Sequence, residues 1–257
     1  MASFVTADGA ELLYTDRGNR GDVPLLFLHG WLGAASLWEP VIEHLEKRHR
    51  TLAVDFRGFG ASNGAPGPYG IETLSDDLSA LIAAADLDPL VVIGHSMGAK
   101  VAQRFAIDRP EATLGLVLIA PVAAGAASFS AKTDAFFRSI PANPEATNRW
   151  LASLTHEPLP PEERRLLGAA AAGANPEAAL ANFDSWTALD FSEEAATIDT
   201  PTLVIASEGD HPGFARDHVA ALIAGSRFEI LASSGHYPQL EWPEVIAGLI
   251  EAFVAEL

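Results

Sequence analysis

The nine residues LVVIGHSMG, from Leu90 to Gly98, decide the fold. The first four are apolar with no polar alternation, which is typical of a parallel strand covered by helices on both faces. A segment with helical periodicity follows, from Met97 to Ile107. A Gly-x-Ser-x-Gly motif between a buried strand and a helix indicates a sharp turn that presents the serine hydroxyl above the sheet. Ser96 is therefore the predicted nucleophile.

A second Gly-x-Ser-x-Gly motif spans residues 60–64. Pro66 and Pro68 come directly after it, so no helix can begin there, and Ser62 is predicted to be a loop residue. The chain has no cysteine, which excludes disulfides, thiolate catalysis and cysteine-ligated metal sites. These observations leave Ser96 as the one credible nucleophile.

Short apolar runs alternate with helical segments on both sides of this motif, which predicts a mostly parallel sheet flanked by helices. The start of the chain, Phe4 to Tyr14 around Asp8-Gly9, is predicted to form a hairpin on the sheet edge. A last helix begins at Pro243, where proline suits the first turn. The predicted strands lie at residues 25–28, 52–54, 90–93, 116–119, 202–205 and 228–231, and the other predicted helices at 36–47, 71–85, 97–107 and 213–224.

Residues 122–189 interrupt this alternation of strands and helices, because they contain several helical pieces separated by prolines and no apolar strand. They are predicted to form a helical lid, inserted after the sixth strand over the carboxyl ends of the sheet, where open α/β sheets hold ligands. The predicted α/β core then consists of residues 1–121 and 190–257.

A serine hydroxyl needs a positioned base, which is itself oriented by an acid. His236 follows the last predicted strand and is the predicted base, whereas His95 is expected to pack behind the serine turn. Asp210 comes just after the strand at 202–205 and is the predicted acid, with Glu208 as the close competitor. Asp199 precedes that strand and would fall at the wrong end of the sheet.

Acyl transfer also needs hydrogen-bond donors for the oxygen that becomes negative. The Met97 backbone N–H is one predicted donor, because it follows the serine on the turn. The Trp31 backbone N–H is the other, in the loop after the first parallel strand, where Gly30 lets the chain turn.

The sequence has 16 basic and 34 acidic residues, a formal charge of −18. Too few basic residues are present to bind nucleic acid or an anionic membrane surface, so neither is an expected partner. The first residues show no secretory signal, and the protein is predicted to be cytoplasmic. The uncharged window from Ala112 to Ala131 contains a glycine and proline pattern that favours a buried strand over a membrane span. The oligomeric state is not indicated.

The motifs together resemble the α/β-hydrolase superfamily. They are His29-Gly30-Trp31, the segment DFRGFGAS at 55–62, GHSMG at 94–98, Asp210 behind its strand, and Gly235-His236 before Glu241-Trp242-Pro243. The resemblance implies an α/β-hydrolase fold, a Ser-His-Asp hydrolase and a lid at residues 122–189. It also implies structural rather than catalytic roles for Asp55 and Arg57.

Differences from the sequence patterns of related subfamilies reduce the number of subfamilies that the chain resembles. Haloalkane dehalogenases and epoxide hydrolases carry aspartate where Ser96 stands. Carbon–carbon hydrolases usually show asparagine at the position of His95, and cofactor-free haloperoxidases tend to have proline where this chain has Leu32. The chain is most similar to small carboxylesterases and lactone hydrolases.

The predicted function is therefore hydrolysis of a small carboxylic ester or lactone, with no cofactor and no metal. Two alternatives remain: a carbon–carbon hydrolase or hydroxynitrile-lyase-like enzyme with the same triad, and a ligand receptor with little turnover. Aromatic residues of the lid offer area for an apolar pocket. The predicted substrate-binding residues are Val122, Phe136, Trp186, His211 and Tyr237.

Overall fold

A computed structural model describes residues 1–19, 23–87, 89–210 and 223–257. Within these ranges the strands form one sheet of eight in the order β1-β2-β4-β3-β5-β6-β7-β8. The strands are β1 Ala2–Val5, β2 Glu11–Gly18, β3 Leu25–Leu28, β4 Arg50–Val54, β5 Leu90–His95, β6 Thr113–Ile119, β7 Thr202–Ser207 and β8 Arg227–Leu231. Strands β1 and β2 pair as the predicted antiparallel hairpin, β2 also runs antiparallel to β4, and the remaining pairs are parallel.

The predicted strand cores and the main helices flanking the sheet are confirmed, while the predicted helix at 36–47 is divided at Glu39 into a 3-10 turn and a short α-helix. The predicted helix at 213–224 lies almost wholly outside the described residues. The described α-helices are α1 Glu39–Leu45, α2 Ile71–Ala85, α3 Met97–Asp108, α4 Ala131–Ser139, α5 Pro144–Ala152, α6 Pro161–Gly173, α7 Pro176–Ala188, α8 Ser192–Ala195, α9 Pro238–Glu241 and α10 Pro243–Val254.

Helices cover both faces of the sheet, which explains the unbroken apolar strands. Alternate residues of β3 point to opposite sides: Leu26 and Leu28 pack into the core that includes α2 and α3, whereas Leu25 and Phe27 pack with α1 and α10. All four of these side chains are fully buried. The buried central strands therefore position the candidate site residues, which lie at the carboxyl ends of these strands.

Helices α4 to α7 occupy the segment between β6 and β7, inside the predicted insert at residues 122–189. Their starts are defined locally, because the side chains of Ser130, Asn143 and Asn175 accept hydrogen bonds from the first-turn amides of α4, α5 and α7. The uncharged window from Ala112 to Ala131 consists mainly of β6 and the loop after it, and only its last residue belongs to an α-helix. Over the described ranges, no helix combines the length and apolar character that crossing a bilayer requires.

Candidate active site

Ser96 lies on a strained turn between β5 and α3. Its backbone has φ +52° and ψ −118°, a region that L-residues rarely adopt. The neighbouring glycines make this turn possible, because a Cβ on Gly94 would lie 2.5 Å from the Gly98 carbonyl oxygen and a Cβ on Gly98 would lie 2.5 Å from the Leu28 carbonyl oxygen. Backbone atoms cannot yield to such contacts. Strand, turn and helix therefore pack as closely as the motif predicts.

Three side chains from different loops form one hydrogen-bonded chain. The Ser96 Oγ is 3.0 Å from the His236 Nε2, and the His236 Nδ1 is 3.0 Å from each carboxylate oxygen of Asp210. A carboxylate can only accept, so the proton of a neutral His236 lies on Nδ1 and leaves Nε2 to accept from the serine hydroxyl. The imidazole is thus held in the tautomer whose Nε2 can accept a proton from Ser96. Glu208 is exposed and takes no part in these bonds.

His95 packs behind the turn, as predicted. Its Nε2 lies 2.6 Å from the carbonyl oxygen of His236, to which it donates, and its ring packs on the rings of His236 and Tyr237 at 5.0 and 4.9 Å. Burial holds the pKa of His95 well below its usual value, so this imidazole is neutral and acts as a fixed donor. His95 therefore supports the backbone of the histidine loop.

The loop after β3 brings Trp31 beside Ser96. A Cβ on Gly30 would meet the His95 ring at 2.9 Å and the Ser96 Cβ at 3.1 Å, so only glycine allows this approach. Trp31 and Met97 both line the space next to Ser96. Among the described residues, neither backbone N–H donates to a protein acceptor. Both residues therefore lie beside the serine, and the role of their N–H groups as oxyanion donors stays a prediction.

The histidine loop contacts the segment that follows α5. The His236 backbone N–H donates to the Leu154 carbonyl at 2.6 Å. The Glu241 carboxylate accepts from the backbone N–H of Gly235 at 2.9 Å and from that of His156 at 2.8 Å. Glu241 thus joins this segment to the histidine loop. Sequence reasoning used Glu241 only as part of a motif and missed this contact, which pairs residues 85 positions apart.

Aromatic side chains close the space around Ser96. The Trp31 ring contacts the rings of Phe137, Trp150 and Phe183 at centroid distances of 5.4 to 5.8 Å. The remaining volume is about 10 Å³, which is room for about one water molecule. It is lined by Trp31, Ser96, Met97, Phe137, Trp150, Trp186, His236 and Tyr237.

The predicted substrate-binding residues have different outcomes. Trp186 and Tyr237 line the space beside Ser96. Phe136 does not: its side chain is 40% exposed, and its neighbour Phe137 takes the place at the cavity, because α4 turns that face inward. Val122 is buried behind the site, where its N–H donates to the Ser96 carbonyl at 3.1 Å. His211 lies outside the described residues.

Three further residues have structural contacts. The Ser62 hydroxyl accepts from the Leu13 backbone N–H at 2.9 Å, so this serine connects its loop to strand β2. Asp55 accepts from the backbone N–H of Ala35 at 2.7 Å, and Arg57 forms a buried pair with Asp77. No group of side chains suited to hold a metal ion occurs within the described part of the chain.

Comparison with known proteins identifies the class. The model of the α/β-hydrolase fold family matches residues 23–243, and the chain belongs to that family. It is 25% identical, over 96% of both chains, to a protein of Azorhizobium caulinodans provisionally named carbamate hydrolase RutD. It is also 35% identical to a non-heme chloroperoxidase of Streptomyces lividans, over 48% of this chain and 45% of that one.

Solved structures agree with this class. An esterase, RhEst1 from Rhodococcus sp. ECU1013, superimposes with a TM-score of 0.85 and 25% identity, covering 100% of this chain and 98% of that one. An esterase from Exiguobacterium antarcticum superimposes with a TM-score of 0.89 over 99% of both chains, at 20% identity, which supports the fold. The protein is a hydrolase of the α/β-hydrolase superfamily.

Proposed function

We propose that the protein hydrolyses a small carboxylic ester or lactone through a covalent acyl-enzyme. The hydrogen-bonded chain from Asp210 through His236 to Ser96 carries this proposal, because it supplies a nucleophile, a base in the required tautomer and an orienting acid. Esterases among the structural neighbours support the same class of substrate.

The reaction follows from the positions of the groups. His236 takes the Ser96 proton as the serine oxygen attacks the carbonyl carbon, and Asp210 stabilises the imidazolium that forms. The amides of Trp31 and Met97 donate to the developing oxyanion. His236 then protonates the leaving alkoxide, and a water molecule, deprotonated by the same imidazole, releases the carboxylic acid. None of these steps requires a cofactor.

The closed space beside Ser96 restricts the substrate. With room for about one water, an ester carbonyl reaches Ser96 only after the aromatic side chains rearrange. A carbamate is the second candidate substrate, because the relative that matches over 96% of its length bears the name of a carbamate hydrolase. An ester and a carbamate both present a carbonyl with a leaving group, so the same serine chemistry serves either.

A labelling experiment tests the nucleophile. A fluorophosphonate probe, followed by peptide mass spectrometry, should give one adduct on Ser96, and Ser96→Ala should remove it. An adduct on Ser62 with Ser96 unmodified would refute the assignment.

A graded panel tests the substrate class. Nitrophenyl esters, lactones, carbamates and carbon–carbon substrates of increasing size should show greatest turnover on a small ester or lactone, and none with Ser96→Ala. Turnover confined to carbon–carbon substrates would replace the proposed reaction, and binding without turnover would indicate a receptor.

A further inference from the structure

Lys100 is a buried lysine that the proposed reaction does not use. It lies on α3, one turn after Ser96, and 0% of its surface is exposed. Only two other lysines occur in the chain, Lys47 and Lys132, and both are exposed. A buried ammonium is costly unless each of its donors finds an acceptor, so the surroundings of Lys100 call for an explanation.

Three backbone carbonyls surround the ammonium. Lys100 Nζ donates to the carbonyl oxygens of Gly125 at 2.9 Å, Trp186 at 2.9 Å and Leu189 at 2.6 Å. An ammonium has three donors, and all three are therefore satisfied. Gly125 precedes the first helix of the insert, whereas Trp186 and Leu189 lie at its end. One side chain thus binds both ends of the insert to the helix that begins after Ser96.

The two ends of the insert also bind each other. Ala127 N–H donates to the Thr187 carbonyl at 2.8 Å, and Phe191 N–H donates to the Ala124 carbonyl at 3.2 Å. We call the paired segments 124–127 and 186–191 the neck. Because Lys100 contacts both segments of the neck, any movement that separates the neck from α3 exposes the amine to water.

Few charged groups face Lys100. Asp190 in the neck attracts the ammonium, and its own carboxylate accepts from Ser192. Arg104, one turn further along α3, lies over the Phe191 ring at 5.4 Å and is paired with Asp108 and Glu194. Lys100 Nζ lies 5.6 Å from the centre of the same ring.

The neck connects Lys100 to the catalytic space through Trp186. The carbonyl of this residue accepts from Lys100, and its side chain lines the space beside Ser96. We propose that Lys100 is a positioning residue: by holding the neck against α3, it places the Trp186 indole at the wall of the substrate pocket. This role in catalysis rests on the proposed function, whereas the attachment of the neck does not.

Chemical labelling of the native protein tests the attachment without any assay of activity. Trinitrobenzenesulfonate modifies neutral amines, and peptide mapping compares the three lysines. At pH 7 we expect Lys100 to react at least about 100-fold more slowly than Lys132, because only a rare opening of the neck frees it. No detectable label also supports the proposal. Equal rates at the two lysines would overturn it.

The pH dependence of labelling gives a second signature. Burial lowers the pKa of Lys100 to about 8, against the opposing effect of Asp190. Between pH 8 and the ordinary lysine pKa of about 10.4, opening of the neck requires proton uptake by Lys100, so each pH unit makes opening about tenfold rarer. Each pH unit also makes the freed amine of Lys100 about tenfold more reactive. The two effects cancel. Where Lys100 reacts, its rate should level off above pH 8 while that of Lys132 still rises, and a rate for Lys100 that matches that of Lys132 over the whole pH range would overturn the proposal.

Kinetics test the connection to the pocket. Lys100→Met keeps the length of the side chain and removes the ammonium, and Lys132→Met is the matched control. With active sites counted by fluorophosphonate titration, we expect KM for a small nitrophenyl ester to rise about tenfold and kcat per site to stay within about threefold. A purely structural role would reduce the number of titrated sites and leave KM unchanged, which would refute the positioning role.

A double mutant tests whether Lys100 affects the substrate pocket through Trp186. If Lys100 acts through Trp186, the effects of Lys100→Met and Trp186→Phe on KM are not additive. Additive effects would overturn the route. If Lys100→Met does not fold, labelling of the native protein still decides whether the neck is attached. If the native protein turns over no ester, the proposed function fails and the labelling result stands by itself.

Discussion

Glu241 offers a direct test of how His236, the proposed base, is held in place. Its carboxylate accepts backbone hydrogen bonds from Gly235, next to His236, and from His156, after α5. Glu241→Ala removes both acceptors, and Glu241→Gln retains a single oxygen that can accept. The backbone N–H groups have no other partner among the described residues.

The size of the effect follows from these two bonds. A hydrogen bond to a charged group contributes about 1.5–3 kcal/mol, and the lower value applies because Glu241 is only half-buried and water replaces part of the interaction. Two such bonds amount to about 3 kcal/mol. Since about 1.4 kcal/mol corresponds to a factor of ten in rate, displacement of His236 should lower kcat by up to about 150-fold in Glu241→Ala. Glu241→Gln should lose about half of that free energy, or about tenfold.

Steady-state kinetics on an ester substrate, with active sites counted by titration, measures the change. Glu244→Ala is the matched control, because Glu244 is exposed at the start of α10. Urea unfolding, measured in parallel, separates loss of fold from loss of alignment. A Glu241→Ala protein whose kcat per titrated site stays within twofold of the parent would refute the reasoning.

Three further outcomes are expected. Asp210→Asn should lower kcat by about 10⁴-fold, because the amide favours the wrong tautomer of His236, and kinetics with Glu208→Gln as control check this. Gly98→Ala should lower the free energy of unfolding by about 1–3 kcal/mol or more, seen in urea titrations, because its Cβ would meet backbone oxygens at 2.5 Å. The Arg57 guanidinium lowers the pKa of Asp8 below its usual 3.8, so the stability that Asp8 contributes is present at neutral pH and lost as the pH falls below about 4. The urea midpoints of Asp8→Asn and the parent should therefore converge in acid.

The sheet could be predicted from the sequence because buried parallel strands are unbroken apolar runs. The run Leu25–Leu28 coincides with β3, and the predicted helix at 71–85 coincides with α2. The serine turn was also predictable from local sequence, because the glycines that the turn requires lie within the same five residues. Such features need no knowledge of distant partners.

Other parts of the site depend on distant partners and could not be predicted. Whether Phe136 or Phe137 faces the serine depends on a rotation of about 100° around α4, which is fixed by packing against Trp31. No local pattern marks Lys100 as buried, and its three acceptors lie 25 to 89 positions away. Leu32 has a positive φ of 56°, which its residue type does not indicate.

The insert contacts both ends of the proposed catalytic chain. At one end, Lys100 joins the neck to the helix that begins after Ser96. At the other, the Leu154 carbonyl accepts the His236 backbone N–H at 2.6 Å. A lid that lifted as a rigid body would break this bond and displace the base from the serine. The rearrangement that admits a substrate is therefore expected among the aromatic side chains that line the space beside Ser96, such as Phe137. On this reasoning the insert is a structural part of the proposed catalytic site.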